Sequence, residues 1–331
     1  MDKNITITDV AEALGVSKTT VSRAISGKGR IGEATRKRVM DYIEEHDYKP
    51  NVIAQGLAKS RTFNLAVVMP TDYCLVDFPF FQNCLVGMHE MSSALEYDLL
   101  LTVCDNVDMS HLERIVSNRK VDGIVLMRTL VEDKVVRLLS GRGIPFVAVG
   151  STHYKKVIQI DQNHREACKE MTSILLMKKM KRIALVGGSE NYVVTQSRLK
   201  GYLDAHAELG IPVQNELVFL NQDTPMMVEN AVDLILQRNV DCIACMDDGI
   251  CVNVLNKLKK EHICIPEDMK VASYFNSTVL ENHIPSITSL DFDVKEEGRV
   301  AIRTLIDMIE GMEVESRVLP GYDVVLKDST K

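Results

Sequence analysis

The chain has no tryptophan, and phenylalanine and tyrosine together make up only 5% of its 331 residues. Its 9 prolines form no Pro-rich linker, and no low-complexity segment is present. No apolar run approaches the roughly 20 residues that cross a bilayer, and Met1-Asp2-Lys3-Asn4 is not followed by the apolar region of an export signal. The expected compartment is the cytoplasm, with no membrane partner. Eight cysteines show no disulfide-framework spacing, so they are expected as thiols. Cys242 and Cys245 do form a C-x-x-C, but they sit inside an apolar run, Val240–Met246, that reads as a buried strand. With no second pair or histidine at ligand spacing, no metal site is expected. Catalytic signatures are missing too. Val186-Gly187-Gly188-Ser189 is not a G-x-G-x-x-G, no P-loop occurs, and no Ser/His/Asp set has a recognisable context. The chain is therefore expected to be no enzyme and to need no cofactor. His89, His164 and His206 fall on helical stretches and read as surface or satisfied core residues.

What is present is length, apolar content and an uneven charge. At 331 residues and 46% hydrophobic, the chain exceeds one ordinary domain, and one small plus one larger domain are expected. The overall charge of −7 divides sharply: residues 1–61 hold 11 Lys and Arg against 8 Asp and Glu, a net of +3, leaving −10 to the remainder. Between Lys18 and Arg38 the only acid is Glu33, against Lys18, Arg23, Lys28, Arg30, Arg36, Lys37 and Arg38. A local positive face of this kind supplies salt-dependent attraction to phosphates, while an acidic remainder limits nonspecific adhesion.

That basic segment contains two short amphipathic helices. They are joined at Gly15, where the chain can turn left-handed, and Ser17 stands ready to cap the second. Val10, Ala11, Leu14, Val16, Val21 and Ile25 are spaced to close a small core behind them, leaving Lys18, Thr19, Ser22 and Arg23 outward: a helix-turn-helix. Further motifs follow in Thr35-Arg36-Lys37-Arg38-Val39, Tyr48-Lys49-Pro50-Asn51 and Ala54-Gln55-Gly56-Leu57-Ala58, and the chain closes on Leu326-Lys327-Asp328-Ser329-Thr330. In order and spacing these resemble the LacI/GalR family of bacterial transcription regulators.

Beyond Arg61, apolar strands such as Leu65–Met69, Gly123–Met127 and Arg182–Val186 alternate with helical stretches, a βαβ rhythm that predicts two doubly wound parallel sheets with helices on both faces. The resemblance implies a helix-turn-helix domain over 1–50, a hinge helix and linker over 51–61, and a periplasmic-binding-protein-like core over 62–331. That core would have an N-subdomain of about 62–161 and 292–318 and a C-subdomain of about 162–290 and 320–331. Chain crossings are expected near Asp161, Leu290–Phe292 and Leu319–Pro320, with a ligand in the cleft at the carboxyl ends of both sheets.

Carried over position by position, Lys18, Thr19 and Arg23 match the base-edge readers, and Thr6, Ser17, Thr20, Ser22, Ser26, Thr35 and Asn51 match residues that position phosphates. Gly32 takes the N-cap of the third helix where the family commonly has serine. The run Asn51–Ala58 is about two turns long and contains Gly56, too short to be a stable helix alone in water. The resemblance implies that it forms on DNA, with Leu57 as the minor-groove wedge and Ala54 and Ala58 beside it. In the cleft, Phe80, Phe81 and Arg198 match ligand-facing residues. Sugar-responsive members have polar residues at positions that align with Gly150, Met246 and Phe275, so a simple hexose is disfavoured as effector; Asp72, Asp247 and Asn276 could supply polarity instead. The plainer alternative is that Asp247 only caps its helix and Phe275 only fills the cleft. The function implied is a homodimeric DNA-binding regulator, a repressor, with a double-stranded operator and a small-molecule effector as partners, located at the nucleoid. The alternative is a transport-type small-molecule-binding protein without a DNA role.

Overall fold

The computed structural model describes residues 5–27, 29–49, 56, 60–71 and 79–331, which divide into two compact units, Met1–Phe63 and Asn64–Lys331. In the first unit, helices α1 (Ile7–Leu14), α2 (Lys18–Ser26) and α3 (Glu33–Glu45) are set by their ends. Thr6 and Asp9 close a reciprocal capping box on α1, and Gly15 ends that helix at φ 64°, where any side chain would be strained. Ser17 caps α2 through the Thr20 N–H. Gly32 leaves α3 without a side-chain cap. Val10, Ala11, Val21, Ala24, Val39 and Tyr48 form the buried core, and Leu14, Val16 and Ile25 pack against it. The apolar spacing along α1 and α2 places these residues on facing stripes.

The second unit holds two six-stranded sheets. The first has the order β11-β5-β4-β3-β1-β2, built from β1 (Asn64–Met69), β2 (Asp98–Val103), β3 (Gly123–Leu126), β4 (Phe146–Val149), β5 (Ile158–Gln162) and β11 (Arg317–Leu319). The second has the order β12-β10-β9-β8-β6-β7, from β6 (Ile183–Val186), β7 (Val218–Phe219), β8 (Cys242–Cys245), β9 (Lys270–Ser273), β10 (Thr288–Phe292) and β12 (Tyr322–Val325). Central strands are buried on both faces because helices cover both, which is why they read as unbroken Val, Ile, Ala and Leu runs. Pairing is parallel throughout the first sheet. The second departs from the all-parallel expectation, since β12 runs antiparallel to β10, with Leu290 opposite Val324.

Three crossings join the lobes. The chain leaves β5 of the first sheet into α7 (His164–Met177), which packs on α8 (Val193–Glu208) of the second lobe. It returns from β10 into α12 (Val294–Ile309), which packs on α4 (Pro79–Ala94) and on the first sheet. It crosses again between β11 and β12 at Pro320-Gly321. The α4–α12 contact is backbone against backbone: a Cβ at Gly298 would lie 2.2 Å from Cys84 O, and one at Gly87 2.0 Å from Lys295 O. Cys242 and Cys245 are fully buried on β8, and no cluster of metal-ligating side chains exists among the described residues. No described helix is long and apolar enough to cross a membrane.

Candidate functional site

The first unit presents the exposed edge of α2. Lys18, Thr19, Ser22, Arg23 and Ser26 are exposed on it, and Thr20 is half-buried. The hydroxyls nearest the helix start are engaged in folding: Ser17 Oγ accepts from the Thr20 N–H at 3.1 Å and lies 2.9 Å from Thr20 Oγ1. Thr6 likewise spends its hydroxyl on Asp9, at 2.7 Å. Thr35 is half-buried on the first turn of α3. Near the end of α2, Gly29 lies against the Arg23 side chain, where a Cβ would come within 3.2 Å of its Cδ. The result is a polar, positively charged helix edge on a rigid apolar base, with its amino end free of acidic side chains. Asn51, Ala54, Leu57 and Ala58 lie outside the described residues, as does Asp72.

In the second unit the lobes enclose a cavity of about 730 Å³, its open side included. Phe80 and Phe81 line it from α4, Arg198 from α8, Asp247 from the N-cap of α10 (Asp248–Lys260), and Phe275 from the loop after β9. These sequence-predicted residues therefore converge. Two others do not. Met246 is buried with its thioether over Gly187, where a Cβ would fall 2.3 Å from its Sδ. Asn276 uses both ends of its amide within the second lobe, donating to Glu281 Oε1 at 2.9 Å and accepting from Ser289 Oγ at 2.9 Å. Both differ from the sequence expectation for this reason. Asp247 does cap α10, accepting from the Ile250 N–H at 2.8 Å, and lines the cavity as well.

The aromatic rings form a chain through the cleft. Phe80 meets Phe81 edge-on at 5.3 Å and Phe275 edge-on at 6.0 Å, and Phe275 stacks at 6.2 Å on Phe292, which lies 4.9 Å from the His164 ring. The polar lining contains residues that sequence reasoning missed: Arg128, Thr129, Ser151, His164, Asp248 and Glu297. Arg198 is 9% and His164 7% exposed, and Arg198 Nε and His164 Nδ1 are buried without a hydrogen-bond partner. An unpaired buried polar atom costs about 1–3 kcal/mol, so a ligand gains by offering an acceptor to Arg198 Nε and a group of the complementary kind to His164 Nδ1, whose role as donor or acceptor depends on the tautomer.

Burial dominates the electrostatics. It raises the Asp161 carboxyl to about 6, against hydrogen bonds from Gln162 and Ser151 and the charge of Arg198. Burial, and next the charge of Asp247, raises Asp248 to about 7. Glu297 is pushed up by burial and then by Asp161, while Gln162 Nε2 donates to its Oε2 at 3.0 Å. His164 is held well below its ordinary value by burial and by Arg198, so its ring is neutral at pH 7. A cavity with aromatic walls, buried unpaired nitrogens and carboxylates held above their usual range is suited to holding a small molecule.

Residues 6–51 match the model of bacterial regulatory proteins of the lacI family, and residues 172–330 match that of a periplasmic binding protein-like domain. Catabolite control protein A of Streptococcus mutans is 28% identical over 100% of this chain and 99% of its own, and the HTH-type transcriptional regulator RegA of Clostridium saccharobutylicum is 25% identical over 98% of each. Among solved structures, the transcriptional regulator CelR in complex with cellobiose superposes with a TM-score of 0.76 at 26% identity, covering 98% of this chain and 99% of that one. The lac repressor dimer bound to operator shares the fold, with a TM-score of 0.80 at 19% identity over 99% of both chains. These relatives are transcription regulators rather than enzymes. A capped helix-turn-helix in the first unit and a two-lobed cleft in the second account for both matches: the chain joins a DNA-binding domain of the lacI family of bacterial regulatory proteins to a periplasmic binding protein-like domain and is a DNA-binding transcriptional regulator.

Proposed function

We propose that the chain is a cytoplasmic repressor without enzymatic activity that binds a pseudo-palindromic operator as a homodimer, under the control of a small molecule in the cleft. Residues 1–50 act as the DNA head, 51–61 as the hinge and 62–331 as the effector core. Lys18, Thr19 and Arg23 read base edges in the major groove while the hydroxyls around them orient the head on phosphates. The observation that carries the effector reading is the pair of buried, unpaired nitrogens, Arg198 Nε and His164 Nδ1, in one aromatic-walled cavity.

The outer edge of the first sheet supports the dimer. On edge strand β2, Leu101 is 53% and Val103 49% exposed, on the face opposite buried Thr102. An apolar exposed edge strand is an aggregation hazard unless another surface covers it, and a second copy fits that need. The effector is read as a molecule that offers an acceptor group to Arg198 and an apolar face to Phe80 and Phe275. Common free hexoses fit poorly, because Gly150 and Phe275 give their hydroxyls no side-chain partner and Met246 is turned away. The test has two arms. A site selected from random DNA by the full chain should be a two-fold repeat that binds a dimer by ultracentrifugation. Calorimetric titration with glucose and galactose should give dissociation constants above millimolar, weaker than about −4 kcal/mol. A selected site without two-fold symmetry, or a hexose bound in the micromolar range, would overturn the corresponding half of the reading.

A further inference from the structure

Two loops from opposite lobes meet across the cleft through their backbones. The Val131 N–H donates to Asn191 O at 2.9 Å and the Val193 N–H donates to Thr129 O at 3.3 Å, which sets Leu130 and Tyr192 opposite each other in an antiparallel bridge. Beside it, the Arg128 guanidinium lies over the Tyr192 ring, 4.3 Å from the centroid. The first loop joins β3 to α6 (Lys134–Arg142) in the first lobe, and the second joins β6 to α8 in the other.

Each arm is fixed on its own lobe. The Leu130 N–H donates to Asp133 Oδ2 at 3.0 Å, and the same carboxylate caps α6 through the Val136 N–H at 2.9 Å. In the second lobe the Ser189 N–H donates to Asp223 Oδ1 at 2.7 Å and the Glu190 N–H to Asn221 Oδ1 at 3.0 Å. Arms ordered in advance lose little conformational freedom on meeting, so the two cross-cleft bonds and the cation–π contact act with little opposing entropy.

We infer that residues 129–131 and 191–193 form a latch that holds the lobes closed over the cavity and must break before a molecule enters or leaves. Its regulatory meaning rests on reading the cleft as an effector site. Arg128 ties the two together, because it lines the cavity and also stacks on the far arm. A ligand group that draws the guanidinium away weakens the latch, and one that leaves it over Tyr192 preserves it.

The latch can be cut without harming the helix behind it. Val193 is the first residue of α8, where proline is tolerated because that N–H has no partner within the helix, and here the N–H is spent across the cleft. Tyr192, at φ −85° and ψ 129°, already has the extended backbone that a residue before proline requires. The bridge can also be trapped. Leu130 and Tyr192 sit between two cross-strand bonds, the narrow kind of pair with Cα atoms about 4.5 Å apart, within disulfide reach.

The test uses the full chain and no ligand, so its failure is separable from failure of the effector reading, which rests on titration. In Leu130→Cys/Tyr192→Cys, oxidised glutathione should link residues 130 and 192 in most molecules, as mapped by peptide mass spectrometry. In Val193→Pro, with unchanged far-ultraviolet circular dichroism, the Val131 amide should exchange with deuterium roughly three- to tenfold faster than in wild type, as expected for loss of one ordinary hydrogen bond. A folded cysteine pair that does not cross-link, or Val131 exchange unaffected by Val193→Pro, would overturn the latch.

Discussion

The Phe80 ring, on the first lobe, meets the Phe275 ring of the second edge-on at 6.0 Å, so the aromatic chain of the cleft is itself a contact between lobes. Edge-to-face pairs contribute about 0.5–1.5 kcal/mol beyond the area they bury. A double-mutant cycle of Phe80→Leu and Phe275→Leu, followed by urea unfolding of the larger unit, should give a coupling energy in that range. A coupling near zero would mean that the two rings are neighbours without mutual stabilisation. Phe275→Ala alone, at a site only 6% exposed, should cost about 3–5 kcal/mol, because a cavity replaces a buried ring.

Arg23→Ala should weaken discrimination between the selected operator and random DNA while leaving the head folded, because its side chain is exposed and absent from the core formed by Val10, Val21 and Val39. The expected loss is about 1–3 kcal/mol of specific affinity, read by fluorescence anisotropy at fixed salt. Ser17→Ala should behave differently. It removes the α2 cap, so it should lower the head's stability by about 1 kcal/mol along with its affinity. If Arg23→Ala binds both DNAs as wild type does, α2 does not enter the major groove.

The head was legible residue by residue because what shapes it is local: a cap at Thr6, a left-handed glycine at 15, a cap at Ser17 and apolar residues at helical spacing. The cleft was legible only in part. Phe80, Phe81 and Arg198 carried a family pattern, but His164, Arg128 and Glu297 come to the cavity through long-range connections that no local spacing records. His164 read as an ordinary helical histidine, yet it begins α7 directly after the chain crosses between lobes. Met246 misled because its alignment with a ligand position says nothing about the space over Gly187 that its side chain fills. The reversed direction of β12 follows from the third crossing, whose two residues bring the chain into the second sheet beside Phe292, at the carboxyl end of β10.

Stability of the larger unit should depend on pH through the cleft. Asp248 is raised by burial to about 7 in the folded chain, above its unfolded value, so it binds more protons folded than unfolded and stabilises the fold as pH falls. Between pH 8 and pH 6 this group alone should add about 1 kcal/mol. Asp161, raised to about 6, acts in the same direction at the lower end of that window. His164 opposes both below its unfolded value, because its burial favours the neutral ring. The measurement is chemical denaturation at pH 6 and pH 8 for wild type and Asp248→Asn. The variant should lose about 1 kcal/mol of the acid-side gain relative to wild type; identical pH responses would show that the Asp248 carboxylate is not desolvated.

Gly298→Ala should destabilise the larger unit more than its one added methyl group suggests. A Cβ at this position would lie 2.2 Å from Cys84 O and 3.0 Å from Met88 N, both backbone atoms of α4, so no side-chain rotation can relieve the clash. Helix propensity alone would favour alanine by roughly 1 kcal/mol, and overpacking opposes it by about 1–3 kcal/mol or more. Because two backbones must separate, overpacking should win, with a net loss of at least about 1 kcal/mol in urea unfolding. The displacement would also reach the cleft. Glu297, the neighbouring residue on α12, lines the cavity and is held by Gln162 at 3.0 Å, so shifting α12 should disturb that buried hydrogen bond. Gly311→Ala serves as the control: it lies just beyond the end of the same helix with nothing within 4 Å of its added Cβ, so its cost comes only from a backbone φ of 81°. A Gly298→Ala variant as stable as wild type would show that α4 and α12 can part without loss, and that their backbone contact does not fix the first lobe.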